Sequence, residues 1–475
     1  MKNYKLCLTV LGLGGLLFVG SALATNPIIM DQFGADPTAR VFEGKIYLYP
    51  SHDIPVPPGS GARQNWFCME DYHAFSSENL MDWTDHGIIC NQTNVPWLNR
   101  KGYDMWAPDC VFKSGTYYFY FPVGGRIGVA TSDKPYGPWK VLDQPVTGAS
   151  GIDPCVLQDD DGTAYLFTGG GGISVAKLKD NMIALDVPPP ATNVVATTNN
   201  PPGRGGRGGF GGRGSVQRVA NLPNPNGTTI EGPFALKRNG IYYLTYPHAV
   251  TVDGRQGAEQ LEYAISTNAM GPYKWMGIIT DTNKSGCWTE HHSIVEYKGQ
   301  WYLFYADKQL SPNFDKNRSV RIDYLHFNDD GTIQKVIPTL RGVGIADAKS
   351  KIQIDRYSDI SDAGVTDTFI NPTNTFEGWK ISLNGKNTWV KFDRVDFGNG
   401  GLKSVNIRSQ SEAGGTVEIR ADKADGPVLA KVEIGKNADW KVATAQVTGI
   451  PSGVHDLVVT HNEDNNVDLD WVSFE

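Results

Sequence analysis

Five side chains able to do acid–base or ligand chemistry stand at nearly the same place before five similar segments. Asp36, Asp109, Asp153, Glu231 and His291 lie six to nine residues ahead of Gly44, Gly115, Gly162, Gly240 and Gly299. Three of them share a local form: Asp36-Pro37, Asp153-Pro154 and Glu231-Gly232-Pro233. Proline restricts the residue before it, so the two Asp-Pro segments are expected to be stiff and extended. Carboxyls gathered in one cleft repel each other and lose solvent, which raises the pKa of at least one. A pair split in this way offers a protonated acid beside an ionised base. Taken singly, each Asp-Pro is as readily a turn element and Glu231 a surface residue. Three in register argue for a site.

The segments behind them are strands. Gly44-Lys-Ile-Tyr-Leu-Tyr, Gly115-Thr-Tyr-Tyr-Phe-Tyr, Gly162-Thr-Ala-Tyr-Leu-Phe, Gly240-Ile-Tyr-Tyr-Leu-Thr and Gly299-Gln-Trp-Tyr-Leu-Phe each place a turn glycine before a β-prone aromatic run. A second pattern interleaves. Ala130-Thr-Ser leads to Gly137-Pro138-Trp139, Ala264-Ile-Ser-Thr to Gly271-Pro272-Tyr273, and Phe75-Ser-Ser to Asp82-Trp83. Four strands per unit and five units predict an all-β chain whose first part is a five-bladed β-propeller. A sandwich or barrel is the alternative, but both patterns recur in one order. The five chemical side chains then sit at matching inner-strand positions and converge near the axis.

Composition narrows the function. The 475 residues carry a formal net charge of −8, which disfavours nucleic acid as a partner. Lys2 and Lys5, an apolar run from Leu8 to Ala22 and the small-x-small Ala22-Leu-Ala predict a cleaved export signal over residues 1–24, hence a secreted or periplasmic protein. That run is short for a span, and no membrane span is expected elsewhere. Cys68, Cys90, Cys110, Cys155 and Cys287 are widely spaced and lack C-x-x-C pairs, so neither a disulfide framework nor a zinc site is expected, though one disulfide stays open. The Arg-Gly run over 201–214 resembles RNA-binding segments, but in a net-acidic exported chain it reads as a loop between blades.

Ala35-Asp36-Pro37, Met105-Trp-Ala-Pro-Asp109, Gly151-Ile-Asp153-Pro154, Ile230-Glu231-Gly-Pro233 and His291-His-Ser293 resemble glycoside hydrolase family 43 from about Asn26 to Gly344. The resemblance implies hydrolysis with inversion. It makes Asp36 the general base, Asp153 the residue that orients and tunes the acid, and Glu231 the general acid. Inversion needs one ionised and one protonated carboxyl on opposite faces of the sugar, with room for water. The family often has calcium or a water cluster near a histidine like His291; a hydrogen-bonded channel histidine without metal is the alternative. No cofactor is otherwise required. Trp106 and Phe67 are candidate sugar-stacking residues, with core packing the alternative for Trp106. Arg318 matches a position near the sugar, or is a surface arginine.

After about Ala346 short alternating strands follow, such as Val405-Asn-Ile-Arg-Ser and Thr416-Val-Glu-Ile-Arg, which predict one β-sandwich. Gly414-Gly-Thr-Val-Glu-Ile-Arg420, Gly453-Val-His-Asp-Leu457 and Asp470-Trp-Val-Ser-Phe474 resemble carbohydrate-binding module family 6. Trp440 matches a tryptophan of that family, whereas a second aromatic is replaced around Ala443 and Asp468 stands where an asparagine often contacts sugar. The expected division is 1–24 signal, 25–346 propeller and 347–475 sandwich. The expected activity is release of terminal β-D-xylosyl or α-L-arabinofuranosyl units from xylan or arabinoxylan fragments. An endo-acting arabinanase and a non-catalytic sugar-binding propeller are the alternatives.

Overall fold

The computed structural model describes residues 26–170, 172–186, 217–218, 231–252, 255–283, 286–311, 313–374 and 377–475. The predicted export signal and the 201–214 run lie outside the described residues. Strands account for every regular element among them except a short 3-10 turn at Gln92–Asn94. No helix is long and apolar enough to cross a membrane.

Five antiparallel sheets follow one another along the chain, the first four with four strands and the fifth with three. Each begins with an edge strand: Ala35–Phe42, Asp109–Lys113, Ile152–Gln158, Phe234–Arg238 and His292–Tyr297. These five touch in succession, and the fifth also touches the first. The aromatic runs read from the sequence are the second strands, such as Lys45–Ser51 and Gln300–Asp307. In four of the five hairpins both turn residues have positive φ (Glu43-Gly44, Ser114-Gly115, Asn239-Gly240, Lys298-Gly299). That is the turn whose twist suits a tight hairpin, and it favours glycine at the second place. The interleaved pattern supplies third and fourth strands, such as Asp71–Ser77 and Thr84–Asn91.

Polar links tie the inner strands where they meet. Arg40 of the first sheet forms a two-point ion pair with Asp109 of the second, at 3.0 and 2.7 Å. The backbone N–H of Val156 in the third sheet donates to the same carboxylate at 2.6 Å. The Arg40 guanidinium also lies 4.8 Å over the Phe234 ring of the fourth. Ser293 of the fifth accepts from the backbone of Ala39 at 2.9 Å. Burying such a charge is tolerable because it is paired and hydrogen-bonded. Asn26, fully buried, fastens the chain's front to the fifth sheet. Its Nδ2 donates to Ile322 O at 3.0 Å and Thr339 O at 2.9 Å, and its Oδ1 accepts from Ile322 N at 2.9 Å. All five cysteines after the predicted signal are buried and none is in a disulfide, as small apolar residues would be.

The C-terminal part is two packed sheets around their own core of Ile381, Val390, Phe392, Val417, Ile419, Leu457 and Val472, among others. Ala346–Asp347 pairs in parallel with strand Thr388–Asp396 of this sandwich.

Candidate active site

Asp36 and Asp153 sit two residues into or just at the start of inner strands, where the ladder slips. The register shifts between Ala35 and Thr38 in the first sheet, and between Phe167 and Gly169 opposite Asp153 in the third. Such bulges aim a side chain out of the regular alternation. The φ angles are +47° for Asp36 and +52° for Asp153. The expected extended form before proline is therefore wrong at both positions. Aspartate tolerates positive φ better than most residues, at a cost of order 1–3 kcal/mol, and such strain clusters at functional sites. Glu231 lies three residues before the fourth inner strand, and His291 immediately precedes the fifth. Between Glu231 and its strand, Gly232 has φ +52°, and a Cβ there would lie 2.7 Å from His291 Nδ1 and 2.9 Å from Pro247. Only glycine lets these chains approach so closely.

The four side chains line one pocket of about 580 Å³, with Phe67, Trp106 and Arg318 also in its wall. Four of the five counted-back residues thus come together, along with the three candidate sugar-contact residues. Asp109 does not; it lies with Arg40 among the inner strands.

The two sides of the pocket differ electrically. Arg318 is buried, not on the surface. It donates to Asp36 Oδ1 at 2.6 Å and Oδ2 at 3.2 Å, to Asp53 at 2.9 and 3.0 Å, and to Thr289 Oγ1 at 2.9 Å. All five of its N–H groups are thereby used, so its role here is to hold Asp36 and not to offer a free donor to sugar. Ser51 adds a 2.7 Å bond to Asp36 Oδ2. Burial alone would push the Asp36 pKa up, but Arg318 and then these hydrogen bonds outweigh it and hold the carboxyl below its ordinary range. Across the pocket, among the described residues, Asp153 accepts only the Gly232 N–H, at 3.2 Å. Its pKa is pushed well up by burial, then by Glu231 and Asp36. Glu231 is pushed up by burial and by the charge of Asp36. The neighbouring Glu259, which receives the Glu290 N–H at 3.0 Å, is pushed well up by burial and by Glu231. The pocket therefore holds one carboxyl made for ionisation and a group that favours keeping protons.

A family model for glycosyl hydrolases family 43 matches residues 24–333. The chain belongs to that family. A second model, carbohydrate binding module (family 6), matches residues 360–475, so this family 43 glycoside hydrolase carries a carbohydrate-binding module behind its catalytic part. It is 33% identical over 339 residues to a xylosidase/arabinosidase 43A of Humicola insolens, covering 65% of this chain and 98% of that protein. A solved family 43 β-xylosidase/α-arabinofuranosidase from a compost microbial metagenome, in complex with xylotriose and in calcium-free form, matches with a TM-score of 0.54 at 30% identity, over 66% of this chain and 98% of its own. An arabinoxylan arabinofuranohydrolase of Bacillus subtilis, solved with cellotetraose, matches with a TM-score of 0.51 at 24% identity over 94% and 97% of the two chains, which shows the two-part fold.

Several pocket residues of this family 43 enzyme escape sequence reasoning. Trp66 and Trp288 join Phe67 in a cluster, with Phe67 stacked on Trp288 at 5.7 Å and 22°. The Arg318 guanidinium covers the Phe67 ring at 4.7 Å. Trp66 and Trp288 sit outside the repeated motifs. Their only signal is an aromatic in a long loop or just ahead of His291. Asp53 is hidden for a different reason: it acts through Arg318.

His291 is buried, and burial pushes its pKa down to about 4, so the ring is neutral near pH 7. It is a poor calcium cage. The carboxylate of Asp36, which interacts with it, already serves Arg318 and Ser51, whereas calcium takes six to eight oxygens. In the sandwich, Asp468 is occupied internally. It accepts from Ser382 at 2.6 Å and Gln410 at 3.0 Å and pairs with Lys380. Trp440 lies beneath the Arg408 guanidinium at 5.0 Å. Trp379 and Trp389 are half-buried.

Proposed function

We propose that this enzyme is an exported, inverting exo-glycosidase that removes terminal β-D-xylosyl or α-L-arabinofuranosyl units from xylan- and arabinoxylan-derived chains. The observation that carries the reading is the charge split across one pocket: Asp36 is held ionised by Arg318, while Glu231 and Asp153 are biased toward protonation. In this reading Asp36 takes the proton from a water that attacks the anomeric carbon. Glu231 gives its proton to the departing glycosidic oxygen, and Asp153 orients Glu231 and keeps it protonated. Trp106 and Phe67 hold the sugar by apolar contact. The relatives named xylosidase/arabinosidase, and the neighbour bound to xylotriose, support pentose chains as the substrate class.

The five sheets are read as the blades of a five-bladed propeller, residues 25 to about 345, closed where the fifth inner strand meets the first. The sandwich from there to 475 is read as an aid to binding polysaccharide. Two carboxyls and a water suffice for the reaction, so no cofactor is needed. A calcium ion held on His291 would depend on water for its oxygen ligands, and no step is assigned to it. The Lys2-to-Ala24 segment is read as an export signal.

The deciding experiment is proton NMR of the first minutes of hydrolysis of aryl β-D-xyloside and aryl α-L-arabinofuranoside. The reading expects turnover of at least one of them, with the first-formed sugar of opposite anomeric configuration. Retention would overturn the assignment of Asp36 as base. No turnover of either substrate would overturn the exo-glycosidase.

A further inference from the structure

Ser51 ends the second strand of the first sheet and pairs with Tyr72 of the third. One step beyond, His52 lies across from Asp71, and His73 is two residues along on the same face of that strand. The donor atoms of His52, Asp71 and His73 all lie within 4.8 Å of one another. His52 Nδ1 sits 2.7 Å from Asp71 Oδ1, and the two imidazole rings are 5.0 Å apart, edge to face. His73 turns its Nδ1 away, to Asp85 at 3.0 and 3.1 Å. Asp85 is itself fixed by the Gly87 N–H at 2.7 Å and Gln32 at 3.1 Å. An imidazole whose Nδ1 is held by a carboxylate presents the Nε2 lone pair in a set direction, which is the usual support of a metal-bound histidine.

We infer that His52, Asp71 and His73 form a binding site for a divalent transition metal of the zinc class, with the Asp85 carboxylate as its outer support. Two imidazoles and one carboxylate suit zinc and its neighbours, whereas calcium and magnesium require oxygen ligands. His52 is about one-fifth exposed, with a relative side-chain accessibility of 21%, so solvent can reach the ion and fill a fourth position. The site is separate from His291 and does not depend on the proposed reaction. Its place in the chain gives it a purpose. His52 and Asp71 bound the loop of residues 53–70, which carries Asp53, the partner of Arg318, and Trp66, Phe67 and Met69 of the pocket wall. An ion joining both ends would clasp that loop at its base and restrict its freedom. Its effect falls on the shape of the pocket and on stability, not on the chemical step.

The test is calorimetric titration of the full, tag-free chain with zinc chloride after removal of metals by EDTA. One equivalent should bind. His52→Ala and His73→Ala should each weaken binding at least about tenfold, and Asp85→Asn by about 10–100-fold. His291→Ala should leave zinc affinity unaltered. Saturating zinc should raise Tm by about 2–4 °C in the parent protein and not in His52→Ala. If an alanine variant fails to fold, His52→Gln or His73→Gln takes its place. Cobalt(II) should give a spectrum without thiolate bands. The inference is overturned by no saturable binding up to millimolar zinc, by equal affinity in folded His52 and His73 variants, or by a cobalt–thiolate signature pointing to the cysteines.

Discussion

Two walls of the pocket start from the same local structure and arrive at opposite charge states. Asp36 and Asp153 each precede a proline, each occupies a bulge, and each has a positive φ near 50°. Asp36 then meets a guanidinium that spends two donors on it, and a serine hydroxyl. Asp153 meets Glu231 and a single backbone N–H. The backbone device delivers a carboxyl to the cleft; the partner brought by another sheet decides whether it carries a proton. In such a pocket the acid and the base are set apart by what faces them and not by what they are.

The contrast is broken most severely at the reacting groups. Asp36→Asn is expected to lower turnover by roughly 10²–10⁴-fold on every substrate, because no choice of leaving group replaces an activated water. Added azide should restore part of that rate and give a product of inverted configuration. Glu231→Gln should cost a similar factor on natural glycosides but far less on a dinitrophenyl glycoside, whose leaving group needs little protonation. Equal losses on both substrates would remove Glu231 from the acid role.

Arg318→Lys tests the ionised wall. In the proposed reading Asp36 works as the anion, so activity is lost as pH falls through its pKa. Weakening the two-point pair raises that pKa, and the acid limb of the pH–rate profile should move upward by about 1 unit. Asp153→Asn tests the other wall. In the proposed reading Glu231 works protonated, so activity is lost as pH rises through its pKa; the two buried carboxyls titrate as a pair, and the presence of the second carboxyl opposes loss of the last proton. Removing Asp153 should move the alkaline limb down; because the pair titrates together, the shift belongs to the pair. An unmoved limb with activity merely scaled down would make Asp153 a positioning residue only.

The smallest effect is expected from ending the chain at Gly344. Aryl glycoside turnover should stay within about twofold, since every pocket residue lies earlier, while activity on insoluble arabinoxylan falls if the sandwich concentrates enzyme on polymer. Full activity on both substrates would mean that the internal engagement of Asp468 by Ser382, Lys380 and Gln410 has cost the module its use.

Much of this could be read from the chain. The five aromatic runs located the second strand of each of five sheets, and the interleaved patterns the outer strands of three, because hairpin turns demand glycine and second strands demand aromatics. Asp36, Asp153, Glu231 and His291 could be placed together by counting back from those glycines. Arg318 could be placed near the pocket, but not its full engagement, since Asp53 and Thr289 carry no repeat signal. The φ angles of the two Asp-Pro pairs ran against the local rule, as happens where a site and not a strand sets the backbone. Trp66 and Trp288 lay in segments whose course depends on the tertiary structure, which no period in the sequence records.

Asn26 ties the segment ahead of the first sheet to the fifth. Its side chain grips the fifth sheet and the segment behind it, and its carbonyl accepts from Arg356 of the C-terminal part at 2.6 Å. For anyone building fusions, Asn26 is thus a fastening point. A partner protein or purification handle joined tightly ahead of residue 26 pulls on a buried joint shared by both parts. The same addition after Glu475 meets a second fastening, since that residue donates to Ser404 O at 2.9 Å and accepts from Ser404 N at 3.0 Å.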